Sequence, residues 1–179
     1  MNIVLIGPRG VGKTKIARRL SYILKLPLFQ IDELIVYELN GLKIPEIVSK
    51  NGWRYFREIE YKVIKKTSKL DNIIIDCGGG VVVDLDQNDN EFFSERKTNE
   101  LKKNGIIFYL DDDIKKLKKK IKKDSNRPLL STKKDFLEIM EARTPYYAKI
   151  ANYKIDMKEK SKKDVINEII KFYEKKLIK

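Results

Sequence analysis

Eight residues near the start of the chain carry its clearest chemical instruction: Gly7-Pro8-Arg9-Gly10-Val11-Gly12-Lys13-Thr14. They fit G-x-x-x-x-G-K-[ST] at every fixed position. Gly10 and Gly12 leave backbone N–H groups open to wrap an anion, with no Cβ in the way. A helix starting at such a loop adds the partial positive charge and unpaired amides of its N-terminus. The Lys13 ammonium can reach β- and γ-phosphates, and the Thr14 hydroxyl can ligate Mg²⁺. The chemistry is capture of a nucleotide's phosphates, with Gly10, Val11, Gly12, Lys13, Thr14 and Lys15 as the expected contacts.

Further along, several residues stand where an α/β protein gathers its ligands. Asp32 ends the run Leu26 to Asp32, which reads as a short strand; it could equally cap a helix beginning near Glu33. Asp76 ends the apolar run Asn72 to Ile75, the pattern that supplies a carboxylate toward magnesium in phosphate-loop enzymes. Gly78-Gly79-Gly80 follows at once and lets another molecule approach the backbone closely. Cys77, with no basic partner nearby in sequence, reads as a small core residue. Arg57 lies beside the inner face of a predicted helix over Trp53 to Ile64, where on its own it would be a surface ion-pair residue. Arg127 stands in a loop against Pro128, from which it could swing over a transferring phosphate. Arg143 precedes Pro145, which should kink or end its helix near Arg143.

The elements that must position these residues follow from periodicity. Ile3 to Ile6 forms an apolar, β-branched run suited to a buried parallel strand. Ile16, Leu20, Ile23 and Leu24 then recur at helical spacing. Ile44, Ile47 and Val48 suggest a short helix ended by Asn51-Gly52. The polar stretch Asp84 to Asn90 predicts an exposed loop before a helix over Glu91 to Lys103. Ile106 to Leu110 is another buried strand, followed by a helix that Asp112 should cap. Tyr153 to Met157 is the last strand and Val165 to Leu177 the last helix. Strands alternate with helices, which predicts a doubly wound parallel sheet covered on both faces.

Composition narrows the classes. The 179 residues suit one domain, and no apolar run is long enough to span a bilayer. The opening residues already form the strand that feeds the loop, so no signal peptide is expected. A single cysteine excludes an internal disulfide and suits a reducing cytoplasm; the absence of histidine excludes imidazole chemistry. The net charge of +13 could serve nucleic acid or small anions. Its lysines are spread over helix faces with no aromatic-interleaved platform, so no nucleic-acid partner and no membrane are expected.

Together these stretches resemble shikimate kinase, a bacterial-type P-loop kinase family of aromatic amino-acid biosynthesis. The resemblance spans nearly the whole chain and rests on the phosphate loop, Asp32 with Gly41, Phe56-Arg57-Glu58-Ile59-Glu60, Gly78 to Gly80, Arg127-Pro128-Leu129-Leu130 and Arg143-Thr144-Pro145-Tyr146-Tyr147. It implies an α/β fold of three layers with a parallel sheet and a mobile lid at about 122–133, in a single domain over 1–179 with a substrate region at about 32–61. It implies ATP-dependent phosphorylation of the shikimate 3-hydroxyl with Mg²⁺, by a monomer. Lys13 and the loop amides would hold ATP, Asp32 the shikimate hydroxyls, Arg57 and Arg143 its carboxylate, Gly78 to Gly80 its ring, and Arg127 the transferring phosphate.

The sequence also departs from the family pattern. Gln30 stands where an aspartate near the magnesium waters is usual, and Asp76 could supply the missing carboxylate. The stretch from Asp32 to Gly41 is one residue longer, Trp53 replaces a common glutamate, and 81–105 exceeds the family length. Lys120 takes the place of an arginine expected near adenine. Two other readings remain: a kinase for another carboxylate-bearing polyol such as gluconate, and a nucleotide-binding pseudokinase.

Overall fold

The structure, a computed structural model, describes residues 1–121 and 134–178. The expected lid at about 122–133, with Arg127, lies outside the described residues. The elements run β1 (Asn2–Ile6), α1 (Lys13–Leu24), β2 (Leu28–Gln30), α2 (Ile31–Glu38), α3 (Ile44–Thr67), β3 (Ile74–Asp76), β4 (Val83–Leu85), β5 (Glu91–Phe93), α4 (Glu95–Asn104), β6 (Gly105–Asp111), α5 (Ile114–Ile121), α6 (Phe136–Ile150), β7 (Tyr153–Asp156) and α7 (Lys162–Leu177). Five strands form one parallel sheet in the order β2-β3-β1-β6-β7.

Alternation along β1 shows why the sheet is covered twice. Val4 and Ile6 join one buried cluster with Ile31, Ile35, Phe56, Leu101 and Tyr147, drawn from α2, α3, α4 and α6. Ile3 and Leu5 join the other with Ile16, Leu20, Leu117 and Ile169, from α1, α5 and α7. Side chains of a strand point alternately to opposite faces, so an unbroken apolar run needs a helical layer on each. The result is the α/β/α architecture that periodicity and resemblance had predicted.

Four local expectations are corrected. The strand before Asp32 stops at Gln30, so Asp32 is the second residue of α2 and not a strand end or N-cap. The stretch around Asp84 to Asn90 is a hairpin: β4 and β5 pair antiparallel, Val83 opposite Phe93. Asp86 holds its turn by accepting from the Asn88 and Asn90 amides at 2.8 and 2.9 Å. The following helix therefore begins at Glu95, with Ser94 as its cap. Asp113, not Asp112, caps α5, its carboxylate accepting from the Lys115 amide at 2.8 Å. α6 continues through Pro145 to Ile150, because the buried row Ile139, Met140, Arg143, Tyr147 and Ile150 fastens it on both sides of the proline. Gly52 does interrupt the helical run as expected, at φ 80 and ψ 167, dividing α3 into two helical arms.

Candidate active site

The phosphate loop leaves β1 through Gly7, whose φ of 140 brings it against β6; a Cβ there would lie 2.4 Å from the Leu110 carbonyl oxygen. Gly10 and Gly12 also have positive φ, 87 and 106. α1 starts at Lys13 and carries no acidic residue in its first turn, so its positive end is not neutralised from within. The Lys13 ammonium donates to the Gly7 and Pro8 carbonyls at 2.9 and 3.0 Å, folded back over its own loop. The Thr14 hydroxyl donates to Asp76 Oδ2 at 2.6 Å. Asp76 is at the carboxyl end of β3, paired in register with Gln30 on β2 and Leu5 on β1.

A cavity of about 640 Å³ collects these groups. Gly10, Gly12, Lys13, Thr14 and Lys15 line it, as do Gln30, Asp32, Asp76, Arg57, Arg143 and all three glycines of the run Gly78 to Gly80. Lys120 lines it as well, with its ammonium 3.6 Å from Asp112. Val11 does not: its side chain packs in the core, and its amide donates to the Pro8 carbonyl. Each glycine of the run faces a different group. A Cβ on Gly78 would lie 2.8 Å from Asp32 Oδ1, one on Gly79 3.0 Å from the Arg9 amide nitrogen, and one on Gly80 2.0 Å from Arg57 Nη2. Cys77 is buried, and burial pushes its thiol well up, with Asp76 and Glu60 adding to the effect; it belongs to the core.

The two arginines prove to be anchored, not surface residues. Arg57 Nη1 donates to Glu60 Oε2 at 2.9 Å, and the wholly buried Lys97 donates to the same oxygen at 2.8 Å. Lys97 reaches on to the Val83 carbonyl at 2.5 Å and Asp84 Oδ1 at 3.3 Å, and Asp84 binds Arg96 Nε at 2.8 Å. Signs alternate along this chain of charges, which offsets the cost of burying them. Burial alone raises the Glu60 carboxyl, but Arg57 and Lys97 outweigh it and hold the group ionised, below its usual value. Arg57 Nε and Glu60 Oε1 are buried without a hydrogen-bond partner among the described residues.

Arg143 is 1% exposed on α6. Its Nε donates to Glu91 Oε2 at 2.9 Å, its Nη2 donates to Glu91 Oε1, and its Nη1 donates to the Gly79 carbonyl at 3.1 Å. The Tyr147 hydroxyl donates to that same carbonyl, and burial raises the phenol to about 12, so it stays a donor at neutral pH. Glu60 shows itself in sequence as an i+3 partner of Arg57 and as the last residue of the Phe56 to Glu60 stretch. Asp84, Lys97 and Glu91 have no local signal at all. Arg127 is outside the described residues.

The donor set suits a magnesium nucleotide. A hydroxyl and a carboxylate in direct contact stand at the loop, and Mg²⁺ takes one or two carboxylates plus waters and phosphate oxygens. Among the described residues no group of three or more acidic, cysteine or histidine side chains forms a dedicated metal cage. Nor, among them, is any helix long and apolar enough to cross a membrane.

A family model described as shikimate kinase matches residues 9–174. A shikimate kinase of Leptospira biflexa is 43% identical over 170 residues, covering 95% of this chain and 94% of the relative. Among solved structures, shikimate kinase from Acinetobacter baumannii in complex with shikimate superposes with a TM-score of 0.84 at 26% identity, over 99% of this chain and 95% of that one. Shikimate kinase from Aquifex aeolicus gives 0.79 at 31% identity, over 97% and 96%. With its phosphate loop, triple glycine and arginine pair opening on one cavity, and with likeness along almost its full length, this chain is an enzyme that belongs to the shikimate kinase family.

Proposed function

We propose that the chain phosphorylates shikimate with ATP, transferring the γ-phosphoryl group to the 3-hydroxyl. The observation that carries this reading is that a single cavity is lined both by the phosphate loop and by Asp32 with Arg57 and Arg143. The loop amides from Gly10 to Lys15 and the Lys13 ammonium hold the phosphates of ATP. For Val11, whose side chain is in the core, the contact falls to its amide, which gives up the Pro8 carbonyl for a phosphate oxygen. Arg57 and Arg143 take the shikimate carboxylate, and the backbone of Gly78, Gly79 and Gly80 lies under its ring. Asp32 accepts a hydrogen bond from the attacking hydroxyl and takes its proton. The hydroxyl oxygen bonds to the γ-phosphorus as the bond from that phosphorus to the bridging oxygen breaks, and ADP leaves. Thr14 and Asp76 would hold Mg²⁺, and the ion would supply neutralisation of charge on the phosphates. Arg127, from the lid at about 122–133, neutralises charge developing on the transferring group. The protein works as a monomeric, cytoplasmic single domain over 1–179, with its substrate region at about 32–61.

A coupled assay of ADP formation tests the reading. ADP should appear on addition of shikimate, with little formed without acceptor or with gluconate. Equal rates with and without shikimate would indicate a nucleotide hydrolase, a gluconate-selective rate would move the substrate, and no rate at all would favour the pseudokinase.

A further inference from the structure

Arg143 has five N–H donors, and three are already committed. Glu91 takes Nε and Nη2 side-on, which fixes the plane of the guanidinium as well as its position. The Gly79 carbonyl takes Nη1 from another direction. Arg143 lines the cavity and Glu91 does not, so the carboxylate holds the arginine without itself facing the ligand. The two donors left over are one on Nη1 and one on Nη2, which a second carboxylate can take. Glu91 opens β5, and its hairpin also carries Asp84, a member of the charge chain that leads through Lys97 and Glu60 to Arg57.

We infer that Glu91 is a positioning residue for the substrate carboxylate: it locks Arg143 in the orientation that presents its remaining Nη donors to the cavity. The opposite assignment is a competitor, a carboxylate that occupies Arg143 until substrate displaces it. The two differ in sign. A competitor, once removed, frees the arginine and lowers the KM for shikimate. A positioning residue, once removed, lets a buried guanidinium turn, and the KM rises. The side-on geometry favours positioning, because one donor on each Nη remains while Glu91 is bound. Removal also leaves the buried arginine without its counter-ion, so the Gly79 carbonyl and other acceptors will draw it from place.

This inference rests on the shikimate reading, and the experiment separates the two. Glu91→Ala and Glu91→Gln are assayed for shikimate-dependent ADP formation beside the unaltered enzyme, each also made in an Arg143→Met background, with thermal unfolding recorded for all. Glu91→Ala should raise the KM for shikimate about tenfold while leaving the KM for ATP nearly unchanged. Glu91→Gln should fare little better, since an amide keeps the volume but turns one acceptor into a donor facing the guanidinium. In the Arg143→Met background neither change should raise the KM further, a non-additivity that a purely structural hairpin role would not produce. Glu91→Ala with an unchanged or lower shikimate KM overturns the inference, as does an equal effect with and without Arg143. If the unaltered enzyme forms no ADP with shikimate, the failure belongs to the functional reading instead. Should Glu91→Ala not fold, the isosteric Glu91→Gln decides the same question by the same sign.

Discussion

Alanine at Gly80 should damage shikimate binding through a residue 23 positions away, and the structure sets the scale of the damage. A Cβ on Gly80 would lie 2.0 Å from Arg57 Nη2, 2.5 Å from Cζ and 2.6 Å from Nη1. Gly80 is not among the glycines of positive φ, so its backbone accepts alanine and the conflict falls on the guanidinium. To restore an ordinary contact of about 3.4 Å, that group has to withdraw by more than 1 Å. It has little room to do so. Arg57 is 5% exposed, tied to Glu60 at 2.9 Å and placed 5.4 and 5.3 Å from the Trp53 and Phe56 rings. Misplacement of a binding group by about 1 Å can cost on the order of a hundredfold, and one charge-assisted hydrogen bond contributes roughly 1.5–3 kcal/mol. The shikimate KM of Gly80→Ala should therefore rise at least about tenfold, with the KM for ATP within about twofold. Steady-state ADP formation at varied shikimate and saturating ATP measures this, and in an Arg57→Met background the alanine should add little. A folded Gly80→Ala enzyme with the original shikimate KM would refute the packing of Arg57 against the glycine run.

Arg57→Met and Arg143→Met should each weaken shikimate binding by about tenfold or more and spare nucleotide binding; titration calorimetry with each ligand checks both halves. Asp76→Ser should raise the Mg²⁺ concentration needed for tight ATP binding, and Gln30→Asp, one strand away in register, should restore it; the readout is nucleotide affinity across a Mg²⁺ titration, and no shift in Asp76→Ser would count against the metal role. Stability should also fall in acid through Asp84. Burial alone raises that carboxyl, but Arg96, Lys97 and Ser94 bring it from 3.8 down to about 2. A group depressed on folding contributes stability above its unfolded value and loses it as pH falls through the folded one. The advantage of the native chain over Asp84→Asn in urea unfolding should thus shrink by on the order of 2 kcal/mol between pH 5 and pH 2; a constant difference would disprove the ion-pair account.

Much of the site was legible in the residues because its signals are local. The phosphate loop is a spacing of glycines before a lysine and a threonine, dictated by how a backbone wraps an anion, and it needs no distant partner. The apolar runs at 3–6, 73–75 and 106–110 declare buried strands for the same reason, and Asp76 follows from standing at the end of one. What the sequence alone could not decide was who holds whom. Glu91 and Arg143 are 52 residues apart, and Lys97 and Glu60 are 37 apart. Charges so far apart meet only once the sheet has brought β5 and α6, or α4 and α3, together. The hairpin was hidden because its strands have three residues each, too short for alternation to show, while the acids and amides of its turn read as loop. Asp32 looked like a strand end because Leu26 to Ile31 is almost wholly apolar; a hydrophobic run cannot announce that its last turn has become a helix. Local chemistry thus specified which groups bind phosphate, and long-range packing specified how the arginines are aimed, because an ion pair's geometry depends on both of its ends.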